Sequence, residues 1–387
     1  MKKINYGLMS GVLCLLPLCH QSLASEYSLD DLSKDYTDYK QYLSDKYGLN
    51  YQLDYSVMLQ RTAPGGKSNA VQSYLYPDIS WTTFNNSYGT GTLNFAYDSV
   101  YYGHHNADDL ADNSGFVTPI NDFPNNSQEF AELYYTYQLP NRYNWLTFGL
   151  GQYSLYNFDG GSYNANQQAT FINYSLSQNA AATYTTAGVG AYVQLTPSDW
   201  EITFGAQDAS DIDATSVRLN HLNDGHFTTF GMVSYNPTVS GLGAGQYSVM
   251  LYNQPSVNEQ PQTTNGWSVN LQQALNEKFA LFGSLSGVDG NVATINQSYT
   301  LGAVYNNPLE RNQLDQIGLA YAYNKIDEDA VGSPIFHDAE QVIEAYWAWG
   351  IGKFATITPD IQMYINPALN PSSDYGFAST LRFSVFF

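Results

Sequence analysis

The residues most able to do chemistry in this chain are carboxylates and tyrosines set at every second position of alternating stretches. Asp54, Asp98, Glu132, Glu201, Glu340, Glu344 and Asp360 fall on the polar parity of their segments, together with Gln362 and one of the few basic residues, Arg382. Carboxylates gathered on one wall attract cations, repel anions and accept hydrogen bonds from hydroxyl groups. Tyr134, Tyr346 and Tyr364 share that parity and offer ring faces to a sugar-like solute. A catalytic reading finds less support. A barrel hydrolase needs a positioned nucleophile or water with histidine and acid partners, and the histidines after residue 24, His104, His105, His221, His226 and His337, all fall in or near segments that read as loops. His104 and His105 would point to opposite faces of an extended chain, which is poor metal chelation; a loop metal site with Asp108 and Asp109 stands as the alternative to the expectation of no metal and no cofactor.

The elements that must position these groups are β-strands. In "GLNYQLDYSVMLQR" the apolar residues Leu49, Tyr51, Leu53, Tyr55, Val57 and Leu59 alternate with Asn50, Gln52, Asp54 and Ser56. The same alternation recurs in "TLNFAYDSVYY", "EFAELYYTYQL", "AGVGAYVQL", "QIGLAYAYN", "VIEAYWAWG" and "GFASTLRFSVFF", giving 16 candidate strands. Each is about the 9 to 11 residues that a tilted strand needs to cross a bilayer. Short connections, among them "NNSYG", "PNRYN", "TPSD" and "GIGK", alternate with long ones at 103–127, 155–181, 208–224 and 325–338. Tight turns at one end and long loops at the other are expected of an outer-membrane barrel. A soluble sandwich or propeller would bury the apolar face internally and does not account for this alternation. "NPTVSGLGAG" at 236–245 is longer than a tight turn should be. The Pro-Asp-Ile elements at 77–79 and 359–361 predict a bulge or strand end, since proline costs a ladder bond.

The sequence therefore predicts an all-β protein: a 16-stranded antiparallel transmembrane β-barrel over 48–387, with a short N-terminal helix. Residues 1–24, with Lys2 and Lys3, an apolar run from Leu8 to Leu18 and the small-x-small pattern Ser22-Leu23-Ala24, read as a cleaved secretory signal. Residues 25–47 read as a periplasmic helical segment at or in the barrel mouth, with Leu29, Leu32, Tyr36, Tyr39 and Leu43 at helical spacing behind a Ser28/Asp31 capping box. Losing a leader that carries two lysines and no carboxylate takes the net charge from −21 to −23, which excludes nucleic acid as a partner. Cys14 and Cys19 both lie in the leader, so the remaining chain has no disulfide. Trp145, Trp200, Phe279 and Phe354 follow short turns, where an aromatic girdle belongs.

The last 80 or so residues carry a resemblance. "ERNQLDQIGLAYAYNK" and "EQVIEAYWAWGIGKFATITPDIQMYINPALNPSSDYGFASTLRFSVFF" are similar to the end of the carbohydrate-selective porins of the OprB type. The shared elements are Glu340, Glu344 and Tyr346, then Thr358-Pro359-Asp360, Gln362, Tyr364, Asn366 and Pro367, and a Leu-Arg strand with Arg382 that ends at Phe387. The resemblance implies an outer-membrane porin of a Gram-negative bacterium that takes up small sugars, with an internally folded loop narrowing the pore. Phe383, Val385 and Phe387 would form the C-terminal insertion signal read by the barrel-assembly machinery. The loop 155–181, with Asp159, Gly160, Gly161 and Tyr163, is the segment expected to fold inward, its glycines permitting the required backbone conformations. Outer-membrane lipids are the expected partners, and a homotrimer is compatible with the pattern. With only five arginines in all, a cation, amino-sugar or basic amino acid preference stands as the alternative to neutral sugars.

Overall fold

A computed structural model describes residues 29–64, 69–210 and 217–387. The expected leader and Ser28 of the expected capping box lie outside the described residues. Sixteen long strands close into a barrel. In the first half these are β1 (Leu49–Ala63), β2 (Asn69–Asn86), β3 (Gly89–Tyr102), β4 (Ser127–Gln138), β5 (Leu146–Ser154), β6 (Ala187–Leu195), β7 (Trp200–Asp208) and β8 (Phe227–Tyr235). The second half comprises β9 (Gly243–Gln254), β10 (Thr264–Ala274), β11 (Phe279–Val288), β12 (Ile295–Asn306), β13 (Gln316–Ile326), β14 (Ala339–Ile351), β15 (Ala355–Ile365) and β16 (Tyr375–Phe386). Every strand pairs antiparallel with its sequence neighbour, and β16 closes on β1 from Asp54–Phe386 to Ala63–Phe377. Closure leaves no strand edge, the condition under which β-structure tolerates lipid.

The alternation read from the sequence is the alternation of the wall. Along β16, Phe377, Ser379, Leu381 and Phe383 are exposed outward, whereas Ala378, Thr380, Arg382 and Ser384 are buried inward. Trp200 and Phe279 sit on the outer face at the turn end, against their cross-strand partners Tyr235 (ring centroids 4.7 Å apart) and Tyr305 (4.2 Å). On the inner face, several large rings lie directly over a cross-strand glycine: Tyr192 over Gly149, Tyr252 over Gly266, Phe282 over Gly302 and Tyr346 over Gly318. A Cβ on Gly302 would lie 2.2 Å from the Phe282 ring, so this glycine is required by close approach.

Three local features refine the sequence reading. The long 236–245 connection is a folded hairpin tip, in which Thr238–Val239 pairs with Gly243–Ala244 and the left-handed residue Gly241 (φ 81°) turns the chain. Pro77 and Pro359 mark neither a bulge nor a strand end: the ladder misses two residue pairs on one side of each and resumes in the same register. The N-terminal helix α1 (Leu29–Tyr47) sits at the rim of the mouth. Its Tyr36 packs edge-on against Tyr51, Phe354 and Phe387 at the short-turn rim, and Tyr51 and Phe387 belong to the outer face.

Candidate functional site

Two long loops fold into the lumen, and the inner faces of β14, β15 and β16 hold them there. Glu340 and Glu344 stand one above the other on β14, each facing a pair of consecutive backbone N–H groups. Glu344 accepts from Ile172 N at 2.6 Å and Asn173 N at 2.9 Å, on the loop after β5. Glu340 accepts from Thr118 N at 2.7 Å and Val117 N at 3.2 Å, on the loop after β3, and from Ala368 N at 3.0 Å. Successive N–H groups turned toward one carboxylate form an anion nest, a strong charge-assisted contact in a dry setting. On β15, Gln362 donates to Ile120 O (3.0 Å) and Tyr364 to Thr118 O (3.2 Å), while Asn173 Nδ2 donates to both side chains. On β16, Arg382 Nη1 donates to the carbonyls of Gln167 and Thr170, and Ser384 to Gln168 O.

These contacts alter the part expected of the inward residues. Glu340, Glu344, Gln362, Tyr364 and Arg382 do point inward, but all are fully buried and each makes at least one hydrogen bond to loop backbone; Arg382 does so through Nη1 alone, its Nε and Nη2 having no hydrogen-bond partner among the described residues. Tyr364 stacks flat on Phe116 (3.8 Å between centroids), Tyr346 meets Phe171 edge-on, and Asp360 is buried beneath the same loops. The expected stacking of sugars on Tyr346 and Tyr364, and hydroxyl bonding to Glu344 and Asp360, has no free surface in this geometry. Nothing in the alternation of a strand says whether water or another segment lies opposite it. Likewise Ser56 is buried against Gln168, and Asp54 is buried with Gln52 Nε2 donating to both its oxygens, while Asn50 and Gln52, nearer the turn end, are exposed.

The loop after β5 crosses to the far wall, and Asp159 fastens it there. Its Oδ1 accepts from Ser268 Oγ (2.5 Å) and Asn270 Nδ2 (2.8 Å) on β10, and its Oδ2 from Asn179 Nδ2 (2.7 Å) and Tyr184 Oη (3.0 Å). Tyr163 packs back against the cluster around Phe171 and Tyr346. Gly160 and Gly161 do not adopt left-handed conformations. Gly161 is needed for proximity, since a Cβ there would lie 2.8 Å from Gln272 Oε1 and 3.0 Å from Asn164 Oδ1. The second inward loop, with a short capped helix at Ala107–Ser114, was legible as long but not as internal.

Between this filling and the wall of β2, β3 and β4 remains a cavity of about 950 Å³. Asp98, Asp122, Glu129, Glu132 and Asp159 line it, with Tyr76, Asn157, Asn166 and Gln246, and among the described residues no lysine or arginine does. Asp98 accepts from Tyr74 Oη at 2.5 Å, and Glu132 from Asn157 Nδ2. Glu129 was missed by the sequence reading because a bulge intervenes: Ala96 faces Glu132 and Asp98 faces Glu129, so β4 spends one extra residue there. That residue reverses the parity, turns Phe130 outward against Phe95 and Tyr97, and brings Glu129 to the same side as Glu132. Asp122, on the inward loop, is pushed up to about 8 by burial, with the Ser177 hydroxyl bond opposing and the carboxylates of Glu344 and Asp98 adding to the shift.

Residues 141–387 match the model of the carbohydrate-selective porin, OprB family. The chain belongs to the OprB porin family. It is 37% identical over 344 residues to Porin AaxA of Chlamydia pneumoniae, a match covering 85% of this chain and 78% of that protein. Porin AaxA of Chlamydia felis is 38% identical over 302 residues, covering 78% and 67%. The high-pH structure of Pseudomonas putida OprB superposes with a TM-score of 0.74 over 91% of this porin and 97% of that chain. At 14% identity this likeness speaks for the fold alone. The porin thus has the 16-stranded outer-membrane barrel of its family, with its lumen partly filled by its own loops.

Proposed function

We propose that the carboxylate-lined cavity is the solute path and that it favours small cationic solutes, such as amino sugars and basic amino acids, over anions. One observation carries this reading: among the described residues, five acidic side chains line the cavity and no basic one does. A row of carboxylates along a narrow path raises the local concentration of cations and the barrier to anions. A second reading, neutral carbohydrate uptake, has the family description behind it, and the Asn, Gln, Ser and Tyr side chains among the lining residues suit hydroxyl groups. Both readings make the protein a passive channel rather than an enzyme.

Planar-bilayer recording separates the two. Under a KCl gradient the reversal potential should report cation preference, and the Glu129→Gln/Glu132→Gln variant should reduce it most at low salt, where the screening length exceeds about 10 Å. Amino sugars and basic amino acids are expected to interrupt the current at lower concentration than glucose. Block by neutral sugars alone would favour the carbohydrate reading, and an anion-selective current would refute the assigned path.

A further inference from the structure

The helix α1 has a function to perform at the rim that neither the barrel nor the solute path requires of it. One stripe faces the protein: Ser33 is buried, and Tyr36, Lys40, Leu43 and Ser44 are half-buried. No described residue outside the helix covers the adjoining stripe of side chains. Tyr39, Tyr42 and Tyr47 are 55, 45 and 52% exposed, yet they form a continuous aromatic surface, with Tyr39 stacked on Tyr42 and Tyr42 edge-on to Tyr47. Lys46 lies over this surface, 5.0 Å from the Tyr42 ring centre and 5.3 Å from that of Tyr47, and Lys40 lies 4.8 Å from Tyr51. By helical periodicity Asp38 and Asp45 fall on the side opposite Tyr36, while Asp35 falls between Tyr39 and Tyr42.

This surface continues the lipid-facing girdle without a break. Trp81, on the outer wall of β2, donates its indole N–H to Tyr47 O (3.1 Å), and Tyr36 packs on the outer-face rings Tyr51 and Phe387. We propose that α1 is an interfacial anchor, its Tyr39–Tyr42–Tyr47 face resting in the headgroup layer of the leaflet at the short-turn end, with Lys46 directed to lipid phosphates. Tyrosine rings favour that depth because one end is apolar and the other wet, and lysine stems lie along the apolar layer while their ammonium groups reach the phosphates. The helix thereby widens the girdle on one side of the barrel and leaves the mouth open.

Nitroxide labelling in vesicles of phosphatidylethanolamine and phosphatidylglycerol tests this. Single cysteines replace Tyr39, Tyr42, Asp38 or Asp45 in otherwise complete protein, with the parent chain as labelling background. Labels at 39 and 42 should collide more with oxygen than with an aqueous nickel chelate, and labels at 38 and 45 should show the reverse. Equal accessibility at all four positions overturns the proposal. So does protection at 39 and 42 that disappears when protein is diluted at constant lipid, which would identify a second copy as the occupant. As a second measurement, the Tyr39→Ser/Tyr42→Ser variant, checked for barrel folding by heat-modifiable mobility, should lose amide-exchange protection over 33–47 in vesicles; parental protection there also overturns the anchor.

Discussion

Replacing Glu344 by glutamine should release the loop after β5 from β14 while leaving the barrel closed. The carboxylate satisfies two buried N–H groups at once, those of Ile172 and Asn173, and both residues are inaccessible to solvent. Glutamine keeps one acceptor oxygen and turns an NH₂ donor toward the other N–H. Loss of one charge-assisted hydrogen bond costs about 1.5–3 kcal/mol, and stranding a buried donor about 1–3 kcal/mol more. A combined cost of about 3–5 kcal/mol raises the ratio of released to docked loop by roughly a hundredfold to several thousandfold. Hydrogen exchange in lipid nanodiscs should show the amides of residues 170–178 losing protection by that order, with those of β14 and β15 unchanged. Single-channel records should gain larger, noisier openings. Parental exchange at Ile172 and Asn173 together with parental conductance would refute the claim that this carboxylate holds the loop.

Three further outcomes follow from the same geometry. Asp159→Ala removes the acceptor of four hydrogen bonds and should raise single-channel conductance by freeing the loop from β10; unchanged conductance would place the narrowing elsewhere. Asp122 is pushed up to about 8, so it is largely neutral at pH 7 and gains its charge as the pH rises through that value. Cation preference, read as reversal potential, should therefore increase between about pH 7 and 9, and Asp122→Asn should flatten that step. Gly302→Ala places a methyl 2.2 Å from the Phe282 ring and should destabilise the barrel by about 1–3 kcal/mol, lowering the temperature at which the heat-modifiable form is lost.

How much of this was legible in the sequence depends on which solvent met each face. Lipid admits one kind of side chain, so the outer parity of Leu381 and Phe383, and with it the strand count and closure, could be read directly. The inner face carries no such constraint. Glu344 reads the same whether water or the Ile172–Asn173 backbone lies opposite, and only the folded chain distinguishes them. Glu129 was hidden for another reason. A single extra residue in β4 reverses the parity on which every inward assignment rested, and no turn residue marks the bulge. The glycines at 160–161 were recognised as necessary, but Gly161 serves close approach to Gln272 rather than an unusual backbone angle.

The final strand addresses two audiences. Leu381, Phe383, Val385 and Phe387 project outward, while between them Arg382 and Ser384 clasp carbonyls of a loop made more than two hundred residues earlier. The chain cannot zip its seam against β1 without also lowering Arg382 onto that loop. If the loop is absent or misplaced, a guanidinium is shut into the wall with its partners missing, a penalty of several kcal/mol. Sealing and filling are therefore one cooperative event, and the seam acts as an inspection step: a barrel whose interior is wrongly packed is also the one that closes least readily.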